Sequence, residues 1–113
     1  MKLPNVQSAT VPERKITHYL LNPAHPAGGS KAEFFLRFGF NAAQWQLLAS
    51  ALVAHACENE VAVIEETAHG HRYVVDGPLS APGGSRLNIR SAWYINPGGG
   101  APRFVIAHPL RKP

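Results

Sequence analysis

The chain has very little cysteine. Its one thiol, Cys57, excludes any internal disulfide and suits a reducing compartment. It falls within a helical pattern and reads as a small core residue rather than a nucleophile. No apolar run is long enough to span a membrane. None follows Met1–Asn5 in the manner of a secretory signal either. The expectation is a cytoplasmic chain that makes no membrane contact. Charge is sparse as well, 16% of residues against 45% apolar, and that excludes a disordered polyelectrolyte.

What is present is the material of one core. A length of 113 residues suits a single domain, 1–113, able to close a core without disulfides. Ten glycines and ten prolines fall in clusters, as loop punctuation. Lys and Arg number 11 against 7 Asp and Glu. Residues 1–60 carry a net charge of only +1, whereas residues 61–113 carry +3 through Arg72, Arg86, Arg90, Arg103, Arg111 and Lys112 against Glu65, Glu66 and Asp76. Arginine predominates there, and its fork fits phosphate. The balance points to an anionic partner, nucleic acid first. A plain basic surface has the same composition.

The hydrophobic period changes once. Residues 12–59 read as helical. Pro12 suits a first helical position, Ile16, Tyr19 and Leu20 form a stripe, and Asn22-Pro23 stops it. Ser30-Lys31-Ala32-Glu33 is a capping-box pattern that opens a second helix, which buries Phe34, Phe35 and Phe38 and ends at Gly39 as a left-handed cap. Asn41 starts a third helix, with Trp45, Leu48, Leu52 and Ala56 on one face and an end near Glu58-Asn59. Residues 60–110 read as strands: 61–67, 72–76, 87–95 and 103–108, with loops at 68–71, 77–85 and 96–102. The expected fold is α+β, about three N-terminal helices packed on one face of a four-stranded antiparallel sheet. On β-strand parity Arg90 and Tyr94 lie on the open face, and His108 points towards the helices. The faces of Glu65 and Glu66 stay open.

Two stretches carry a resemblance. The segment from Tyr19 through Asn22-Pro23-Ala24-His25-Pro26-Ala27-Gly28-Gly29-Ser30-Lys31 to Phe35 resembles an uncharacterised bacterial domain family. Its members occur alone or at the C-terminus of polymorphic toxins and phage proteins. Ile89-Arg90-Ser91-Ala92-Trp93-Tyr94-Ile95 and Pro102–Pro109 look like the paired last strands of that family. The element order is similar to the barnase–EndoU–colicin–RelE group of metal-independent ribonucleases. The resemblance implies an RNA-directed toxin, or an interaction module with a small cognate antitoxin or immunity protein. Where ribonucleases of that kind carry a Thr and a Tyr, this chain has Ile106 and His108. Either His108 takes over a role or the fold remains without the chemistry.

Cleaving RNA without a metal requires a base, an acid and cations around the phosphorane. His25 and His108 suit the proton transfers, and Lys31 and Arg90 the charge. Gly28, Gly29 and Ser30 form a helix-start corner that, with Lys31, suits phosphate. Tyr94 can stack a base beside Arg90, with Arg103 on the next strand. For each the plainer reading is structural: a cap, a loop, a solvated strand residue, a buried histidine. Ser91 has no triad partners. His69 and His71 flank a turn without a third ligand, so no metal or other cofactor is expected. His18 and His55 are read as solvated on polar helix faces. Trp45, Trp93 and the phenylalanines are read as core.

Overall fold

A computed structural model describes residues 1–25 and 29–110, excluding the side chains at 29 and 30. A short helix, α1 (Glu13–Lys15), runs on into a π-helical segment, Ile16–Leu20. Next come α2 (Gly29–Arg37), α3 (Trp45–Glu58) and four strands, β1 (Val61–Thr67), β2 (Gly70–Ser80), β3 (Arg86–Ile95) and β4 (Arg103–Pro109). The strands form one antiparallel sheet in the order β1-β2-β3-β4. The architecture is α+β, as the change of period indicated.

Local chemistry accounts for the element ends. Pro12 is the N-cap of α1, one position ahead of the expected one, with extended backbone and Glu13 as the first helical residue. Gly39 holds φ at +100°, the left-handed conformation that ends α2. The Asn41 side chain accepts the Gln44 N–H at 3.0 Å. It caps a 3-10 turn, Ala42–Gln44, from which α3 departs. The Ser30 capping box lies outside the described residues.

The core joins Ile16, Leu20, Phe35, Leu48 and Leu52 from the helices to Val75, Ile89, Trp93 and Phe104 from the sheet. Burying each large apolar side chain contributes about 1.5–3 kcal/mol. Of the three phenylalanines expected inside α2, only Phe35 is fully buried, while Phe34 and Phe38 pack at the margin. Cys57 is exposed rather than core.

Three further expectations fail, and each does so through tertiary contact. First, β2 continues through Gly77-Pro78 to Ser80, where a loop was expected. The β1 ladder stops at Val61 opposite Val75, so Pro78 lies where no β1 neighbour demands its missing N–H. Asn59 Nδ2 donates instead to the Pro78 carbonyl at 3.1 Å. A Cβ at Gly77 would fall 2.1 Å from Asn59 Oδ1, so only glycine fits there.

Second, β4 contains a bulge. Ala92 pairs with Ile106 but Trp93 with Phe104, leaving Val105 as the extra residue. A bulge reverses side-chain parity beyond it. Ala107 therefore faces the helices opposite Ser91, and His108 lies on the other face opposite Arg90. The expected inward His108 is corrected by that one residue.

Third, His55 is not solvated. It is 1% exposed beneath α3. Its Nε2 sits 3.0 Å from the carbonyls of Gly77 and Ile89, and its Nδ1 sits 3.0 Å from Ser91 Oγ. Carbonyls only accept, so Nε2 carries the proton and Nδ1 accepts from the serine. Trp93 Nε1–H completes the chain by donating to Ser91 Oγ at 2.9 Å. Burial holds the imidazole pKa below its ordinary value of 6.5, against the upward pull of the two carbonyls. The network ties α3 to β2 and β3.

Candidate nucleic-acid interface

Pairing assigns the sheet faces. Arg72, Asp76, Arg90, Tyr94, Arg103, Ile106 and His108 share the face opposite the buried Val75, Ser91 and Trp93. Glu65 pairs with Arg72 and lies on that face too, while Glu66, opposite His71, lies on the other. The first helix rises along one side. Its Lys15 Nζ donates to the Val105 carbonyl at 3.2 Å, at the bulge.

Three hollows meet along this border, and Lys15 lines all of them. The first, about 450 Å³, includes Pro12, Thr67, Arg72, Tyr94 and Arg103. The second, about 430 Å³, includes Arg14, His18, Tyr19 and His25. The third, about 280 Å³, is lined by Lys15, Tyr19, Arg72, Val105 and Ile106. None of the described lining residues is a carboxylate. A larger hollow of about 580 Å³ lies over α3, among Ala9, Val11, Trp45, Val53 and Cys57, and has no charged lining. Size favours that one; chemistry favours the basic groove.

Tyr19 organises one end of the groove. Lys31 Nζ donates to its hydroxyl at 3.1 Å and stands 5.3 Å from its ring centre. The His25 ring meets the Tyr19 ring edge-on at 4.6 Å. The sequence corner of His25 and Lys31 is thus brought together, through a tyrosine that the sequence placed only in an apolar stripe. Gly28 and the Ser30 hydroxyl lie outside the described residues. The Gly29 backbone opens α2.

Tyr94 and Arg103 organise the other end. The Arg103 guanidinium lies 5.2 Å over the Tyr94 ring. The Tyr94 hydroxyl is fixed by donation to the His69 carbonyl. Arg72 adds a cation from β2. Its nearest carboxylate, Glu65 Oε1, is 3.4 Å from Nε without hydrogen-bond alignment, so Nε is buried with no acceptor.

Two expected residues do not join the groove. Arg90 is held in a fork by Asp76, at 2.7 and 2.8 Å, and this bond raises its pKa. Its charge is largely neutralised there. His108 Nδ1 donates to the Pro109 carbonyl at 3.1 Å, beside Arg90. Neither lines any of the three hollows; Lys31 lines none either, but it contacts Tyr19, which does. Conversely, sequence reasoning missed Arg14, Lys15, His18 and Arg72. The first three, with Tyr19, recur at spacings of three and four along α1 and its π-helical extension, a basic helical stripe that is readable in the sequence.

Among the described residues no group of three or more His, Cys, Asp or Glu could hold a metal ion, and no helix is long and apolar enough to cross a membrane.

A family model described as "Domain of unknown function (DUF6883)" matches residues 2–111. No curated protein sequence matches the chain. Among solved structures, the chain is similar to one in the "Contact-dependent growth inhibition toxin - immunity protein complex from Klebsiella pneumoniae 342". The TM-score is 0.70 at 15% identity, covering 97% of this chain and 100% of the other. At that identity the likeness is one of fold.

Proposed function

The chain belongs to the DUF6883 family, and we propose that it is a toxin-like, RNA-directed domain whose basic groove takes the RNA backbone. The observation that carries this is the convergence of Arg14, Lys15, Arg72 and Arg103 with Tyr19 and Tyr94 along one border without a lining carboxylate. Cations follow the phosphates and the tyrosine faces take unstacked bases, the combination that single strands require. In the ribonuclease form of the proposal, His25 serves one of the two proton transfers, at the 2′-oxygen or the leaving 5′-oxygen, and water serves the other. Lys31, steadied by Tyr19, and Arg72 stabilise the phosphorane charge. Arg103 and Tyr94 hold the neighbouring nucleotide. No metal takes part. The Klebsiella complex pairs a toxin with an immunity protein, and a small cognate partner that blocks the groove fits the same proposal.

A second reading is a catalytically silent interaction module of a toxin–antitoxin or phage operon. The position of Ile106 favours it: an aliphatic side chain lines the groove where the ribonuclease group carries a hydroxyl. Incubating the purified chain with total RNA in EDTA separates the two. Cleavage that is lost in His25→Ala, together with growth arrest on expression, supports the ribonuclease. Neither cleavage nor arrest leaves RNA binding or the silent module. RNA affinity that does not fall with salt removes both nucleic-acid readings.

A further inference from the structure

The two edges of the sheet are finished differently. β4 is closed by the N-terminal segment: Thr10 forms a parallel bridge to Arg103, and its carbonyl accepts the Phe104 N–H at 3.0 Å. Lys15 occupies the next carbonyl, at Val105. β1 has no such cover. Among the described residues, its one backbone hydrogen bond beyond the β2 ladder runs from the Val61 N–H to the Met1 carbonyl, at 2.7 Å. The rest of its outer edge presents unpaired N–H and C=O groups, the template for another strand.

β1 is also bare on both faces. α3 crosses β2 and β3, and β2 is the one element that β1 packs on substantially. Every residue of β1 after Val61 is exposed. Val63, on the groove face, is 43% exposed, and Ile64, on the helix face, is 46% exposed. Two adjacent β-branched aliphatics thus stand in water on opposite sides of an open edge.

Beside them lie two of the molecule's seven side-chain carboxylates. Glu65 and Glu66 follow directly, one on each face, in a chain of net charge +4. Their internal partners are weak: Arg72 at 3.4 Å for the half-exposed Glu65, and His71 at 3.8 Å for Glu66, whose side chain is 88% exposed.

We propose that β1 is a docking edge for an extended segment of another protein, which adds as a fifth strand. The pattern of β1 specifies that segment. It carries two consecutive Lys or Arg opposite Glu65 and Glu66, next to two consecutive β-branched residues opposite Val63 and Ile64. Main-chain hydrogen bonds supply the affinity, and the paired side chains supply register and choice of partner. A second copy of this chain fits less well, because antiparallel pairing of two β1 strands about Ile64 sets their Glu65 carboxylates diagonally across from each other. The groove reaches β1 at Thr67, but Val63, Ile64, Glu65 and Glu66 line none of its hollows, so peptide docking on the edge is read out separately from RNA binding.

The test uses the full chain, labelled with ¹⁵N. The probe is an acetylated, amidated heptapeptide, Thr-Lys-Lys-Val-Ile-Thr-Thr. Amide shifts confined to Val61–Thr67 and the paired part of β2 are expected. Exchanging the two lysines for glutamates weakens binding about tenfold. A proline in place of the central valine abolishes it. In the variant Glu65→Lys/Glu66→Lys the preference between the two peptides inverts. No saturation at millimolar peptide, equal affinity for the Lys and Glu peptides, or shifts centred on Lys15 and Tyr19 would overturn the proposal. So would a chain that sediments as a dimer without peptide, with its β1 amides protected from exchange, since a second copy then occupies the edge.

Discussion

Replacing Ser91 by Ala tests the buried network directly. The serine oxygen is fully buried and does two jobs: it accepts the Trp93 Nε1–H at 2.9 Å and donates to His55 Nδ1 at 3.0 Å. Alanine removes both bonds and leaves one donor and one acceptor without partners. Each orphaned buried polar group costs about 1–3 kcal/mol. The vacated space is a single oxygen between an indole and an imidazole, too small for a water to enter without movement. The expected loss is about 3 kcal/mol, a large part of the 5–15 kcal/mol typical of a domain's stability. Urea unfolding followed by tryptophan fluorescence measures it. With a slope of about 1.5 kcal/mol per molar, the midpoint falls by about 2 M with the slope unchanged. A loss below about 0.5 kcal/mol would refute the reasoning, because it would mean that neither group depends on the serine for its partner.

Acid should act through the same network. Because the His55 pKa is lowered in the folded state, its contribution is complete above 6.5 and is lost as pH falls through the window beneath that value. Stability should therefore fall as pH is lowered from 7 towards 5, and a His55→Gln variant should lack this component; parallel pH profiles for the two proteins would contradict it. Gly77→Ala should destabilise by about 2 kcal/mol or more, since its Cβ would lie 2.1 Å from Asn59 Oδ1 and φ is +157°; Asn59→Gly in the same chain should recover part of the loss, as thermal melts would show. In RNA binding followed against salt, Lys15→Ala and Arg103→Ala should each reduce the slope by about one, whereas Arg90→Ala, whose charge Asp76 already holds, should reduce it less. Equal effects of Arg90 and Arg103 would place the RNA further along the sheet than the groove.

The candidate site was partly legible. His25 and Lys31 were paired because they are near neighbours in the chain, and in the structure both meet Tyr19. Tyr94 was placed on its face because β3 keeps one register from Leu87 to Ile95, and Arg103 because it pairs with Tyr94 on the adjoining strand. Lys15 and Arg72 were not found, since nothing local reveals that α1 borders β4 and that β2 faces the same groove. Arg90 looked available because its partner, Asp76, is 14 residues away on the neighbouring strand.

Sequence by itself determined the α+β class, the order of the elements, the left-handed cap at Gly39 and the Asn41 cap. All of these follow from periodicity or from bonds that span a few residues. The tertiary structure alone decided the rest. The bulge at Val105 turned His108 away from the helices, and a bulge leaves no mark on hydrophobic alternation until its partner strand is in register. Burial of His55 needed two carbonyls and a hydroxyl delivered by strands 22 to 36 residues downstream. A buried imidazole and a solvated one look alike on a helical wheel, because the difference between them is the set of hydrogen-bond partners, and those come from other elements.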